Sequence, residues 1–278
     1  MDKLFLTSPE IIQATISKAT TKVKSNTCKL LLLSILAGSF IAFGAHASII
    51  VMQSLVGVDV GFAKLLGACV FPVGLMLTNL TGAELFTGNN LMTLAVYDRK
   101  ISLADLLKSW LIIYIGNFIG SYLLGFMIAK TGILAGNALD LTLSTVQSKM
   151  SLTFGEAFFR GICCNILVVL AIWLATGSKD ATSKMLSCFF PVMVFVLSGF
   201  EHSVANMYYF SVSHLLGFPF TWRQMALNNL LPVTLGNIVG GAVFIPLTYY
   251  LAFIKLEKSK AAESRLSVLK PVQKTSAS

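Results

Sequence analysis

Two apolar runs in this chain are too long to form one membrane helix each and too short to form two. The first, Leu65 to Tyr97, covers 33 residues and would be roughly 50 Å long as a continuous helix. The hydrocarbon core of a bilayer is only about 30 Å thick. Cutting the run at its single acid, Glu84, leaves 13 residues before Asp98-Arg99-Lys100, which cannot cross again. A half-helix, an irregular break and a second half-helix reconcile these lengths. The second run, Met185 to Leu216, carries the same punctuation: Gly82-x-Glu84-x4-Asn89 returns as Gly199-x-Glu201-x4-Asn206, with His202 beside the acid. Ionisable groups at this depth are costly and mark functional positions. Non-helical backbone there is tolerated only where protein buries it or where it lines a cavity. Two such breaks at corresponding positions point to a binding site near the membrane midplane.

Composition agrees with a polytopic helical membrane protein. Of 278 residues, 55% are hydrophobic and 12% charged, and mean hydropathy is +0.78. The net charge of +9 could suggest nucleic acid, but its placement argues against that partner. Lys3, Lys18, Lys22, Lys24 and Lys29 precede the first span, and Lys255, Lys258, Lys260, Arg265, Lys270 and Lys274 follow the last, so 11 of the 21 basic residues flank the membrane region. Such flanks stay on the cytoplasmic side. Five cysteines form no Cys-x-x-Cys pair and read as small buried hydrophobes. No apolar leader with a small-residue cleavage site is visible at the amino end.

Taken in order, Ser8-Pro9-Glu10 reads as a helix start with Ser8 as N-cap. Ile12, Ile16, Ala19 and Val23 then give an amphipathic helix expected to lie on the inner membrane surface. Span 1 covers about Leu30 to Val51, and its lone His46 reads as packed or interface-facing. The broken second span follows, then span 3 from about Leu106 to Ala129. The longest loop, Lys130 to Ser151, carries Lys149 near its end. Span 4, about Phe154 to Thr176, places Glu156 and Arg160 one turn apart as a possible pair. The second broken span, a loop over Gly217 to Asn228, span 6 from about Asn229 to Ile254 and a polar tail complete the chain. Basic termini then place both ends, Asp98-Arg99-Lys100 and Lys179/Lys184 inside; Lys64, Lys130, Lys149 and Arg223 fall outside.

The chain contains an internal duplication. Cys69-Val-Phe-Pro-Val matches Cys188-Phe-Phe-Pro-Val at an offset of 119, the Glu motifs match at 117, and Gly116-Asn117-x-x-Gly120 matches Gly236-Asn237-x-x-Gly240 at 120. Three spans per half is an odd number, so the second copy enters from the opposite side, giving an inverted repeat with the breaks meeting at the midplane. Half-helix amino ends converging there favour an anion. The small residues would let spans 3 and 6 pack closely. Glu84 and Glu201, present in both copies, read as structural, satisfying backbone N–H groups at the breaks. His202 aligns with Leu85, and Thr87 with Val204; these asymmetric polar residues are the candidates for chemistry.

Gly82-Ala-Glu-Leu-Phe-Thr-Gly-Asn89, Phe200-Glu-His-Ser-Val-Ala-Asn-Met207, Pro232-Val-Thr-Leu-Gly-Asn-Ile238 and Arg160-Gly-Ile-Cys-Cys-Asn165 together resemble the formate/nitrite transporter family over roughly residues 8 to 254. The resemblance implies an all-α, aquaporin-like protomer of six transmembrane helices with spans 2 and 5 broken, assembled as a homopentamer in the cell membrane. Charge and hydropathy divide the chain into a cytoplasmic amphipathic amino-terminal helix at 1–28, a transport domain at 29–254 with repeats at about 29–130 and 152–254, and a basic cytoplasmic tail at 255–278, beyond the resemblance, expected to be disordered. The resemblance also implies a pathway for a small monovalent anion: formate first, nitrite or hydrosulfide as alternatives, and no cofactor or metal. Leu85, Phe86 and Thr87 would form the flexible break of span 2; Phe71, Leu75 and Phe195, with Leu85 and Phe86, would constrict the pore. His202 would donate a proton or hydrogen bond, with Thr87 across the pore and Glu201 beside it. Lys149 would attract the anion from outside, and Asn165 and Asn237 would be further polar pore positions. Physics supports the proton: a bare anion crossing an apolar constriction is strongly disfavoured, whereas the neutral acid can pass.

Two other classes fit less well. Glu201-His202-Ser203 contains the residue types of a hydrolytic triad, but consecutive residues point in different directions, and three histidines supply no metal-ligand spacing. A water or ammonia channel lacks support, since no duplicated Asn-Pro-Ala and no twin intramembrane histidines are present.

Overall fold

The computed structural model describes residues 3–256. Its elements are α1 (Ser8–Val23), α2 (Thr27–Met52), α3 (Val60–Val70), α4 (Val73–Thr81), a 3-10 turn (Gly88–Met92), α5 (Thr93–Tyr97), α6 (Leu103–Thr131), α7 (Asn137–Met150), α8 (Phe154–Gly177), α9 (Ala181–Leu197), α10 (Ser203–Leu215) and α11 (Trp222–Lys255). Among the described residues the only extended pairing is one bridge between Phe5 and Ser178. Among the described residues five segments are long and apolar enough to cross a membrane: α2, α3 with α4 (Val60–Thr81), α6, α8 and α11. The tail expected beyond Ile254 lies, from residue 257 on, outside the described residues.

Local chemistry sets most boundaries. Asn26, Asp59 and Asp180 cap α2, α3 and α9 by accepting from Cys28, Phe62 and Ser183 N–H, while Ser102/Asp105 and Thr153/Glu156 form capping boxes for α6 and α8. Each satisfies amide donors that a helix start leaves orphaned. Glu156 therefore bonds Thr153 Oγ1 and N–H at 2.8 Å rather than forming the expected ion pair with Arg160. The amino end is corrected in the same way. Thr7, not Ser8, caps α1, because Glu10 completes a box with it. Lys3 joins that clasp, and Lys3 first, then Thr7, hold the Glu10 carboxyl down at about 2. Its contribution is fully present above the ordinary carboxylate range and is lost progressively as pH falls from that range through about 2.

Three further expectations are corrected. The apolar face of α1 is buried against protein: Ile11, Ile12, Ile16 and Ala19 belong to the core, and α1 packs on α5 and α8, so this face is not available to a membrane surface. The segment 130–151 is not simply a loop, because α7 occupies most of it, with Ala138, Thr142 and Val146 buried at four-residue spacing. Residues 222–228 are helical, so α11 starts at Trp222 under a Thr221/Gln224 capping box. It carries three π turns, at Ala226–Leu230, Val239–Phe244 and Leu251–Lys255.

The glycine motifs set how closely the helices approach. A Cβ on Gly120 would overlap the Ile35 carbonyl of α2, and one on Gly240 the Ile162 carbonyl of α8. Thus α6 packs on α2 and α11 on α8, each with backbone against backbone. Because the obstruction is main chain, no rotamer change relieves it. Gly120→Val and Gly240→Val are each expected to cost about 3 kcal/mol, the upper end for overpacking, or roughly 6–12 °C in thermal midpoint for a chain of this size. Gly155→Ala, which meets open space, is the control. Fluorescence-detected size-exclusion after heating reads both, and equal midpoints for all three would refute the close-approach role.

Candidate functional site

Both overlong runs break, and in the same way. The first leaves the helix at Gly82 (φ 76°), the second at Gly199 (φ 69°), a left-handed conformation that glycine adopts without steric cost. The first break follows a full-length 22-residue segment, Val60–Thr81, rather than the expected half-helix, because Asp59 starts the helix five residues before the apolar run and Lys64 lies inside it. The second break, 198–202, separates the 17-residue α9 from the 13-residue α10.

Loose backbone at the breaks is held by two asparagines. Asn117 of α6 accepts from Phe86 N–H at 2.8 Å and donates to the Ser34 and Glu84 carbonyls at 2.7 and 2.9 Å. Asn237 of α11 accepts from Ser203 N–H at 2.9 Å and donates to the Gly161 and Glu201 carbonyls at 2.8 and 3.0 Å. Both N–H donors and the oxygen of each carboxamide are thus engaged. The glutamates, expected to take the backbone N–H groups, instead bind side chains. Glu84 holds Lys22 and Asn89; Glu201 holds Lys149 at 2.8 Å and Asn206 at 2.6 Å. Lys149 also lies over the Tyr209 ring, 5.4 Å from its centroid, so the cation sought in a loop is anchored at the second break.

Between the breaks, Thr87 Oγ1 and His202 Nε2 meet at 2.8 Å, both side chains fully enclosed. His202 is also the N-cap of α10, its Nδ1 accepting from Ala205 N–H at 3.1 Å. A nitrogen that accepts carries no proton, so the neutral ring holds its proton on Nε2 and donates it to Thr87. Neither ring nitrogen addresses Ser203, which removes the basis for a triad. Phe195 stacks on the imidazole (centroids 5.8 Å, planes 17° apart) and meets Phe71 edge-to-face at 5.7 Å. Leu75 and Leu85 are buried in the same core. Phe86 departs from the group: its ring packs on Trp110 and Tyr114.

Asn165 reaches the centre from α8, donating to the Asn237 carbonyl and Asn90 Oδ1 at 2.7 Å and to the Thr87 carbonyl at 3.3 Å. Its Oδ1 and Ser203 Oγ are buried without a protein partner among the described residues. A cavity of about 520 Å³ approaches the first break and is lined by Lys22, Glu84, Leu85, Gly88 and Asn89. The sequence reading missed Lys22 and Asn90. Lys22 was findable as the counterpart of Lys149, each ending a short helix ahead of its half; Asn90 had no distinguishing signal. His46 bonds Tyr208 at 3.1 Å, the packed role expected for it.

Comparison with known proteins places this arrangement. Residues 9–251 match the family model described as formate/nitrite transporter. The chain is 40% identical to the uncharacterized transporter YrhG of Bacillus subtilis, over 93% of this chain and 97% of that protein. It is 38% identical to a probable formate transporter of Methanothermobacter thermautotrophicus, over 92% of this chain and all of that one. Among solved structures, one described as a pentameric formate channel with formate bound superposes with a TM-score of 0.72 at 34% identity, covering 82% of this chain and 98% of that chain. Motifs, helical architecture and relatives converge: this chain belongs to the formate/nitrite transporter family.

Proposed function

We propose that this protein passes small monovalent anions across a membrane, formate first, with protonation at His202 linked to passage. The observation that carries the reading is the Thr87–His202 contact, where the two breaks meet beside Phe71 and Phe195. An aromatic wall excludes a bare charge, and a hydrogen-bond donor sits directly against it. Asn165, Asn237, Glu201 and Lys149 complete the polar pathway, with Leu75 and Leu85 as further narrowing, while Phe86 packs away from it on Trp110 and Tyr114. The parallel bonding of Asn117 and Asn237 supports two inverted three-helix repeats, residues 29–130 and 152–254, with six spans in all. The relatives' descriptions support formate as substrate and a homopentamer. A second reading, nitrite or hydrosulfide, draws on the family's breadth.

The N-cap bond constrains the proton step. Imidazolium forms only when Nδ1 takes a proton, which requires it to release Ala205 N–H. The cation then gives its Nε2 proton to a formate oxygen, yielding formic acid and a neutral ring protonated on Nδ1; the resting tautomer returns only after Nδ1 releases that proton and Nε2 takes one up from water, which frees Nδ1 to accept from Ala205 N–H again. Proton transfer is thereby coupled to the start of α10. Thr87 holds the ring and the acid in register.

Radiolabelled formate uptake with an internal pH dye in proteoliposomes tests this. His202→Asn keeps a good N-cap yet cannot titrate; His202→Phe loses both functions. Proton-coupled uptake should fall to background in both, with residual uncoupled leak in Asn. Unchanged coupling and pH dependence in the Asn variant would exclude the relay. Gly88→Leu drives a side chain toward Ile172, already 3.3 Å from a Cβ there, and is expected to block flux in a protein that still assembles; wild-type flux would remove the first break from the path. For orientation, cysteines at the exposed positions Lys100 and Asp140 should react with an impermeant thiol reagent from opposite faces, Lys100 from inside, placing both termini in the cytoplasm. Labelling of both from one face would overturn that topology.

A further inference from the structure

The cavity beside the first break has more positive charge than its one acid neutralises. Lys18, Lys22 and Lys29 line it together with Glu84. Glu84 is occupied by Lys22, while Lys18, Lys29 and Lys184 meet no carboxylate within ion-pair distance among the described residues. Lys184, at the start of α9, faces Lys18 closely enough that burial, then Lys184, then Lys22 hold the Lys18 ammonium below the usual lysine range. Three lysines, from α1 and α2, therefore share the cavity lining with one carboxylate, and Lys184 of α9 adds to the positive potential at Lys18.

We propose that this cavity binds a multivalent oxyanion of the phosphate class. Formate carries one charge and leaves most of the surplus in place. A phosphate-bearing anion carries two or more and presents several acceptor oxygens to lysines, which bind phosphate as point charges. At about 520 Å³ the cavity has room for a pyrophosphate-sized group. An occupant there contacts the lining formed by Gly88 and Asn89 and obstructs the approach to Thr87, so it slows permeation from this side. The binding stands independently; the slowing rests on the proposed function.

The probe is inorganic pyrophosphate, titrated calorimetrically against the full chain in phosphatidylcholine nanodiscs. Wild type is expected to bind, and Lys18→Gln/Lys29→Gln to bind at least about tenfold weaker, a loss of roughly 1.4 kcal/mol, while eluting normally on size exclusion. Absent binding to wild type, or equal binding by the double variant, would overturn the site. Discs containing phosphatidylglycerol separate the sources: unchanged binding identifies a soluble anion, and loss of pyrophosphate binding identifies a lipid phosphate as the occupant. In proteoliposomes, pyrophosphate on this side should slow wild-type formate flux and leave the double variant, whose basal flux is normal, unaffected. Equal slowing of both would overturn the regulatory role. Absence of formate flux without pyrophosphate would instead contradict the channel reading and leave the calorimetric result standing.

Discussion

The structure depends on how it satisfies the backbone of two helix breaks inside an apolar protein. An unpaired N–H or carbonyl in that setting costs about 1–3 kcal/mol, and each break exposes several. Asn117 and Asn237 resolve this with one carboxamide apiece, each accepting one amide proton and donating to two carbonyls. Both asparagines sit one residue after a glycine that lets the helix lie against its partner's backbone. Close packing is therefore what brings the carboxamide within reach, and the reach is what holds the break open. Scaffold and site have one cause.

The lysine–glutamate–asparagine groups add a second layer. Each break carries a carboxylate that would be costly alone, and each is matched by a lysine from a short helix preceding its half: Lys22 from α1, Lys149 from α7. These pairs tie peripheral helices to the centre. Breaking one would leave an uncompensated partner, so each pair is more important for arrangement than for net stability. Where the two copies differ in sequence, at His202 opposite Leu85 and Thr87 opposite Val204, the centre acquires the side-chain contact that joins one break to the other.

Much of this was legible in sequence because membrane constraints are strong. Overlong apolar runs, a repeated glutamate motif and small-residue motifs each have few physical solutions, and the two breaks and the close approach of α6 and α11 to neighbouring helices follow from them; the pairing of Thr87 with His202 was expected only from the family resemblance. What was not legible depended on competition or distance. Thr7 and Ser8 both qualify as caps, and only the position of Glu10 decides between them. The partners of Asn117 lie 83 and 33 residues away, beyond local pattern. Lys64 ends an apolar run on paper yet sits exposed inside α3, hiding the true helix start at Asp59. Lys22 and Lys149 stand 127 residues apart, outside the 117–120 offsets of the repeat, so alignment alone did not pair them. The helix α7 is mostly polar, and only its buried stripe of Ala138, Thr142 and Val146 reveals it.

The central claim is that the permeating anion meets the protein at the Thr87–His202 pair. A structure of the full assembly in lipid, determined at high formate concentration, tests it directly. Formate is expected within hydrogen-bond distance of both His202 Nε2 and Thr87 Oγ1, with their direct 2.8 Å contact opened to admit it. Formate bound only elsewhere, with that contact intact, would contradict that claim.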